Sequence, residues 1–136
     1  MKFFSSKINS SAVDLALLVL RVVAGSAMLT HGIPKLIKLF TVRPIVFANP
    51  VGLGVVPSMM LSTFAEFACA ILIILGLFTR LAAIPLVINF TVIFFVVHQA
   101  LPFAGKELPL LFLVIFFSIL LSGGGRYSLD RRLFRS

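Results

Sequence analysis

The chain has 136 residues, of which 60% are hydrophobic and 12% charged, and its mean hydropathy of +1.18 is too high for a water-soluble domain of this size. Its net charge of +8 could suggest nucleic-acid binding, but the Lys and Arg residues stand at the ends of apolar segments and not along one face with interleaved aromatics, so we expect no nucleic-acid partner. The composition predicts an integral membrane protein of one domain, residues 1–136, whose functional groups must lie within or between its helices.

The first two apolar segments are separated by a long apolar loop. The first covers about residues 13–40, with Asp14 suited to its first turn and Pro34 near its end, and its length predicts a tilt or a kink. Residues 41–56 contain several prolines and glycines, which break a helix. The second helix is predicted over about residues 57–78.

The third and fourth segments complete the predicted fold. A short turn around Gly76, Thr79 and Arg80 leads into a third helix at about residues 81–97, so these two helices should be antiparallel neighbours. A fourth helix is predicted over about residues 108–122, where three successive glycines from Gly123 stop it, and a basic tail follows at residues 126–136. The prediction is an all-α membrane protein, a four-transmembrane-helix antiparallel bundle.

The distribution of basic residues predicts the orientation of this bundle. Basic residues are retained on the cytoplasmic side of a membrane, where they also meet anionic lipid. The loops on one side carry Arg43 and Lys106, with Lys35 and Lys38 near that surface. The termini and the second loop carry more, and should be cytoplasmic: Lys2, Lys7, Arg80, Arg126, Arg131, Arg132 and Arg135.

A first layer of polar residues is expected at membrane depth. An ionisable side chain near the bilayer centre costs about 2.5 to 3.5 kcal/mol on insertion scales, so Arg21 and Glu66 need partners or a water-filled cavity. The helical rise places Asn89 at nearly the depth of Arg21, and we expect these three residues to form a network. The network either clamps the helices together or orients a polar ligand, with Glu66 accepting or delivering protons.

A stripe of small and polar residues runs along one face of the first helix. Arg21, Gly25, Met28, Gly32 and Lys35 follow steps of four and three residues, which place them on one side of a helix. Such a stripe usually indicates close helix packing, and the sharper alternative is a slot for a flat ring.

A second polar layer is predicted near the opposite surface, where His31 and Lys35 meet His98 and Glu107. Histidine can shuttle protons near neutral pH, although satisfaction by water or by a carbonyl is the commoner role. No two histidines have a helical ligand spacing, so no metal site is predicted. Asn89 and His98 are nine residues apart, so both face the bundle only if Pro85 or the helix end distorts the helix.

An ordered set of short motifs resembles the DoxX family of membrane proteins. The resemblance covers nearly the whole chain, and no single motif is specific by itself. The motifs are Arg21, His31-Gly32, Lys35-Leu36, Asn49-Pro50, Gly52-Leu53, Ala65-Glu66, Leu75-Gly76-Leu77-Phe78-Thr79-Arg80, His98, Lys106-Glu107-Leu108 and Gly125-Arg126-Tyr127-Ser128-Leu129-Asp130.

The resemblance implies a four-helix protein of the bacterial inner membrane and, for some members, work in membrane redox systems. Relatives include the membrane subunit of an archaeal thiosulfate:quinone oxidoreductase and a mycobacterial protein that assembles with a superoxide dismutase and a sulfurtransferase. The lone Cys69 argues against cysteine-based sulfur transfer within this chain. Positions that match the family and can carry chemistry are Arg21, His31, Lys35, Glu66, Arg80, His98 and Glu107.

Three functions are compatible with these features. The leading hypothesis is a quinone-binding or membrane-anchor subunit of an oxidoreductase that works with a separate electron donor, because no spacing in the chain indicates flavin, haem or iron–sulfur binding. A second is a scaffold that recruits soluble redox or stress-response partners through the basic tail, and a third is a small transporter or channel, which could require a homo-oligomer. Catalytic candidates are Glu66, His31 and His98, and ligand-binding candidates are Arg21, Gly25, Gly32, Lys35, Glu66, Asn89 and Glu107.

Overall fold

Apolar helices make up most of the chain in the computed structural model, which describes residues 6–42, 44–47, 49–50 and 52–134. Helix α1 spans Ser10–Thr41, α2 spans Val55–Leu75 and α3 spans Thr79–Val97, and each is long and apolar enough to cross a membrane. Helix α4, Glu107–Ser122, has 16 residues and is about 24 Å long, somewhat shorter than the hydrocarbon core. The short helix α5, Leu129–Leu133, follows it. All regular structure in the described residues is therefore helical, as the sequence predicts.

Helix α1 begins three residues before its predicted start because Asn9 caps it. The Asn9 side chain accepts hydrogen bonds from the backbone N–H groups of Ser11 and Ala12, which satisfies two donors that a helix start leaves free. Asp14, expected in the first turn, instead accepts a hydrogen bond from the Arg126 backbone N–H at 3.1 Å. The first helix thus also holds the start of the carboxyl-terminal tail.

Two glycines allow α1 to lie directly against α2. A Cβ atom on Gly32 would stand 2.5 Å from the backbone oxygen of Glu66, and one on Gly25 would stand 3.0 Å from that of Ala70. Neither glycine lines a cavity wall. The two glycines of the stripe therefore serve close helix packing, the commoner of the two expected roles, whereas Met28 and Lys35 of the same stripe line the cavity described below.

The buried guanidinium of Arg21 ties three parts of the chain together at the end of the molecule where the tail begins. Its Nη1 donates to the carbonyls of Ile73 and Ile74, both at 3.3 Å, and its Nη2 donates to the carbonyl of Tyr127 at 2.8 Å. The last carbonyls of a helix have no partner within the helix, so a cation there satisfies them and complements the helix dipole. Arg21 consequently fastens the end of α2 and the tail to α1.

Asp130 completes this fastening from the tail. Its two carboxylate oxygens accept hydrogen bonds from the backbone N–H groups of Phe78 and Thr79, at 2.6 and 2.8 Å, at the start of α3. Its own backbone N–H donates to the carbonyl of Gly76 at 2.9 Å. We call Arg21, Gly76–Thr79 and Tyr127–Asp130 the tail clamp. It is a structural joint, so residues 127–130 are not a free docking segment.

Replacing Asp130 with Ala should destabilise the protein and loosen its tail. The substitution removes both acceptors at the start of α3, and losing a capping side chain costs about 0.5–2 kcal/mol. Thermal unfolding in detergent would measure the loss, and limited proteolysis would detect earlier cleavage after residue 126. Arg132→Ala, in the same short helix but exposed, is the control, and equal melting temperatures for the two variants would contradict the clamp.

Replacing Gly32 with Ala should force α1 away from α2. The added Cβ meets backbone and not a movable side chain, and overpacking of this kind costs about 1–3 kcal/mol. Ser26→Ala, on the exposed face of the same helix, should have little effect. If Gly32→Ala unfolds at the same temperature as Ser26→Ala, the close approach of the two helices is refuted.

Candidate functional site

A cavity of about 750 Å³ lies between α1, α2, α3 and the start of α4, within the size range of small-molecule sites. Side chains of the loop after α1, among them Phe47, Pro50 and Leu53, also contribute to its wall. Most of the lining is apolar. The polar side chains in the wall are His31, Lys35, Ser58, Ser62, Glu66, Asn89 and His98.

An ion pair between Lys35 and Glu66 is the centre of this polar lining. Lys35 Nζ lies 2.8 Å from Glu66 Oε2 and donates to Ser62 Oγ at 3.1 Å, while Asn89 Nδ2 donates to Glu66 Oε1 at 3.2 Å. The Glu66 side chain is 3% exposed and that of Lys35 is 25% exposed. The carboxylate is thus buried with the ammonium group beside it, whereas the Lys35 side chain is partly exposed and lines the cavity.

The structure corrects the predicted network. Glu66 and Asn89 do meet, as expected, but Arg21 is not their partner, because its guanidinium is held by the backbone carbonyls of the tail clamp. The cation beside Glu66 is Lys35, which the sequence placed in the other polar layer. The prediction failed because it compared only the depths of these residues along their helices. The long Lys35 side chain reaches along the helix axis to Glu66, whereas the long Arg21 side chain reaches towards the opposite end of the molecule.

The inner face of α2 carries two serines that the sequence analysis did not single out. Ser58, Ser62 and Glu66 are four residues apart, and all three are buried and line the cavity. Ser58 is 8% exposed, and its Oγ has no hydrogen-bond partner among the described residues. The spacing of Ser58, Ser62 and Glu66 in the second segment was the signal that could have revealed this stripe.

Two π-helical turns position the polar residues of the site. One, Ala65–Cys69, contains Glu66, and the other, Ile93–Val97, lies between Asn89 and His98. In the second turn the His98 N–H donates to the carbonyl five residues earlier, at Ile93, which rotates the residues beyond it relative to an α-helix. This distortion brings both Asn89 and His98 to the cavity, a result that ideal helical geometry forbids.

Aromatic rings form part of the apolar wall. Phe90 and Phe112 both line the cavity, and their ring centroids are 5.4 Å apart with an interplanar angle of 27°. Phe116 packs behind them, 6.0 Å from the ring of Phe90. Phe47 covers Lys35, whose Nζ is 5.4 Å from the ring centroid. The ring of Phe47 therefore lies close to the ion pair, and those of Phe90 and Phe112 line the same cavity.

Of the remaining predicted site residues, some lie in the cavity wall and others lie outside it. His31 and His98 line the cavity, and the Nδ1 atom of His98 is buried without a partner among the described residues. Glu107 is exposed in the first turn of α4 and is not in the cavity wall, where Leu108 and Pro109 take part instead. Arg80 donates to the carbonyl of Leu121 at 3.3 Å. Within the described residues no three His, Cys, Asp or Glu side chains are grouped to hold a metal.

These groups suit an amphipathic ligand. Lys35 Nζ and Ser58 Oγ can donate hydrogen bonds, Glu66 and Asn89 keep the ammonium group in place, and the phenylalanine rings can receive a flat ring. Lys35 and Glu66 together can also exchange a proton with a bound molecule, because one is an acid and the other a base. The arrangement can support recognition of a polar head group and movement of a proton.

Comparison with known proteins identifies the family of the chain. The family model of DoxX matches residues 16–99, which include every polar residue of the cavity wall. The chain is 32% identical over 123 residues to an uncharacterised protein of Haemophilus influenzae strain Rd, covering 85% of this chain and 89% of that protein. No solved structure matches. The chain therefore belongs to the DoxX family, and it is a membrane protein with apolar helices of membrane-spanning length.

Proposed function

We propose that this protein binds a lipid-soluble quinone in the cavity and works as the membrane subunit of an oxidoreductase. The observation that carries the proposal is the Lys35–Glu66 pair, 2.8 Å apart, set in a largely apolar cavity whose wall also contains the rings of Phe90 and Phe112. A quinone has the matching chemistry, since it combines a flat ring, two carbonyl acceptors and an apolar tail. Few cellular membrane solutes combine all three.

The chemistry assigned to the chain is limited to binding and proton movement. Reduction of a quinone to a quinol takes two electrons and two protons, and the electrons would come from a separate redox protein. Lys35 would donate a hydrogen bond to one carbonyl oxygen and can pass a proton to it. Glu66 would hold Lys35 in position and take part in returning that proton, with Asn89 fixing the carboxylate.

A recruited soluble partner would meet the protein at the tail end. Arg126, Arg131 and Arg132 are exposed there and surround a depression with Ser10 and Asp14. A basic surface attracts an acidic soluble partner or anionic lipid. The tail clamp leaves these arginines accessible while fixing residues 127–130, so a recruiting role would rest on charge and not on a free peptide.

The proposed topology has four antiparallel spans in the bacterial inner membrane, with both termini in the cytoplasm. Reporter domains fused at residue 1, residue 136 and within the loop after α1 would test it. A cytoplasm-active reporter should function at both termini, and an export-active reporter should function in the loop. The opposite pattern, or termini on different sides, would contradict the proposed orientation.

Quinone binding should depend on Lys35 and Glu66. Lys35→Met and Glu66→Gln should each weaken binding of a short-tailed benzoquinone or naphthoquinone about tenfold or more, because hydrogen bonds to charged groups are worth about 1.5–3 kcal/mol. Isothermal titration calorimetry on protein in nanodiscs measures the dissociation constants.

Lys38→Met is the matched control, since Lys38 lies on the same helix one turn from Lys35 and outside the cavity wall. It should bind quinone like the unmodified protein. The proposal fails if the unmodified protein binds neither quinone, or if Lys35→Met binds as tightly as Lys38→Met.

A further inference from the structure

The cavity reaches the surface of the protein between α2 and α3. Leu61 and Phe64 on α2 and Ile88 on α3 line it, yet these side chains are 57%, 53% and 58% exposed. Helix α3 packs on α2 mainly at the π turn Ala65–Cys69 and the residues after it, whereas Val55–Phe64 packs mainly on α1 and on that turn. The two helices thus meet around Glu66 and leave a gap beyond it. We call the gap lined by Leu61, Phe64 and Ile88 the side opening.

The side opening has an apolar rim on two helices of membrane-spanning length. It lies on two helices that are long and apolar enough to span a membrane, and its rim is made of large apolar side chains. Phe47, Pro50 and Leu53 contribute to the wall from the loop after α1. A molecule approaching from water would meet these apolar loop residues, while a molecule dissolved in the bilayer would meet the gap directly.

The cavity is polar at the inner face of α2 and apolar at the side opening, as the binding of a lipid-like ligand requires. The buried stripe of Ser58, Ser62 and Glu66 lies on the inner face of α2, and the unpartnered Ser58 Oγ is among its groups. Leu61 and Phe64, on the other side of the same helix segment, form the rim. A head group can therefore stay at the serines and Lys35 while an attached chain passes out between Leu61 and Ile88.

From this geometry we infer that the quinone enters and leaves sideways from the bilayer, and that its isoprenoid tail occupies the side opening while the ring is bound. The inference rests on the proposed quinone site and adds the route of entry and the place of the tail, which requires a long-tailed lipoquinone. Moving an apolar tail from lipid to an apolar gap contributes little binding energy. The side opening therefore determines which ligands fit and how they arrive, and the polar side chains of the cavity wall provide the affinity.

Filling the side opening should weaken the binding of long-tailed quinones and spare that of short-tailed quinones. Leu61→Trp and Ile88→Trp put a large ring in the gap, and each should weaken binding of a quinone with several isoprene units about tenfold or more, because the tail no longer has an exit. Binding of the same ring with a single isoprene unit should stay within about twofold. Binding by both quinones is measured in nanodiscs.

Matched controls exist on the same helices. Ile84→Trp, one turn before Ile88, and Met60→Trp, beside Leu61, put the same ring on exposed positions outside the cavity wall and should bind both quinones normally. The inference is overturned if Leu61→Trp and Ile88→Trp bind the long-tailed quinone as well as these controls do. Failure of the unmodified protein to bind either quinone would instead overturn the proposed function.

If a tryptophan variant loses both ligands, photo-crosslinking of the unmodified protein tests the same inference. A quinone with a diazirine on an inner isoprene unit should label peptides containing Leu61, Phe64 or Ile88. Labelling confined to the loop after α1 or to α4 would overturn the inference. So would undiminished labelling of the side opening by a diazirine phospholipid in the presence of excess quinone, because an acyl chain would then be the occupant.

Discussion

The structure of the site depends on one constraint, the neutralisation of the Glu66 carboxylate inside a membrane-spanning helix. An unpaired charge at this depth is costly, and Lys35, 2.8 Å away, offsets part of that cost. Gly32 makes the contact geometrically accessible, because its missing Cβ lets α1 touch the backbone of Glu66 and brings Lys35, almost one turn further along α1, to the carboxylate. The Lys35–Glu66 pair therefore depends on the close helix approach that Gly32 permits.

The two ends of the molecule have different tasks. At the tail clamp, Arg21 and Asp130 satisfy backbone groups that helix ends leave free, so their charges are used for architecture. At the cavity, the Lys35 side chain keeps some exposure, and Ser58 and His98 have buried polar atoms without hydrogen-bond partners among the described residues, as Arg21 Nε and Thr79 Oγ1 do at the tail clamp. Unsatisfied polar groups in a cavity are costly to the fold. The proposed ligand would supply hydrogen-bond partners to the atoms of Ser58 and His98.

The sequence was informative where hydrophobicity and chain length decide the outcome. The apolar segments, the helix stop at Gly123 and the close packing of Gly25 and Gly32 follow from local composition, and the Glu66–Asn89 contact follows from helical rise. Which cation would pair with Glu66 did not follow, because Arg21 and Lys35 both have side chains long enough to reach far along a helix. The choice depends on the tail, which competes for Arg21 through the carbonyl of Tyr127. The π turns were equally hidden, since a single extra residue in a helical turn leaves no mark in the hydrophobic pattern, yet it moves His98 into the cavity wall.

A structure of the protein determined in native-membrane patches, without added ligand, tests the central claim most directly. The account predicts non-protein density in the cavity, with a flat head within hydrogen-bonding distance of Lys35 or Ser58 and an extended tail leaving between Leu61 and Ile88. Mass spectrometry of the same sample should identify a quinone. The account would be contradicted by a cavity that is closed by protein side chains or filled with water alone, with Lys35 and Glu66 bonded only to each other. The polar side chains of the cavity wall would then be structural.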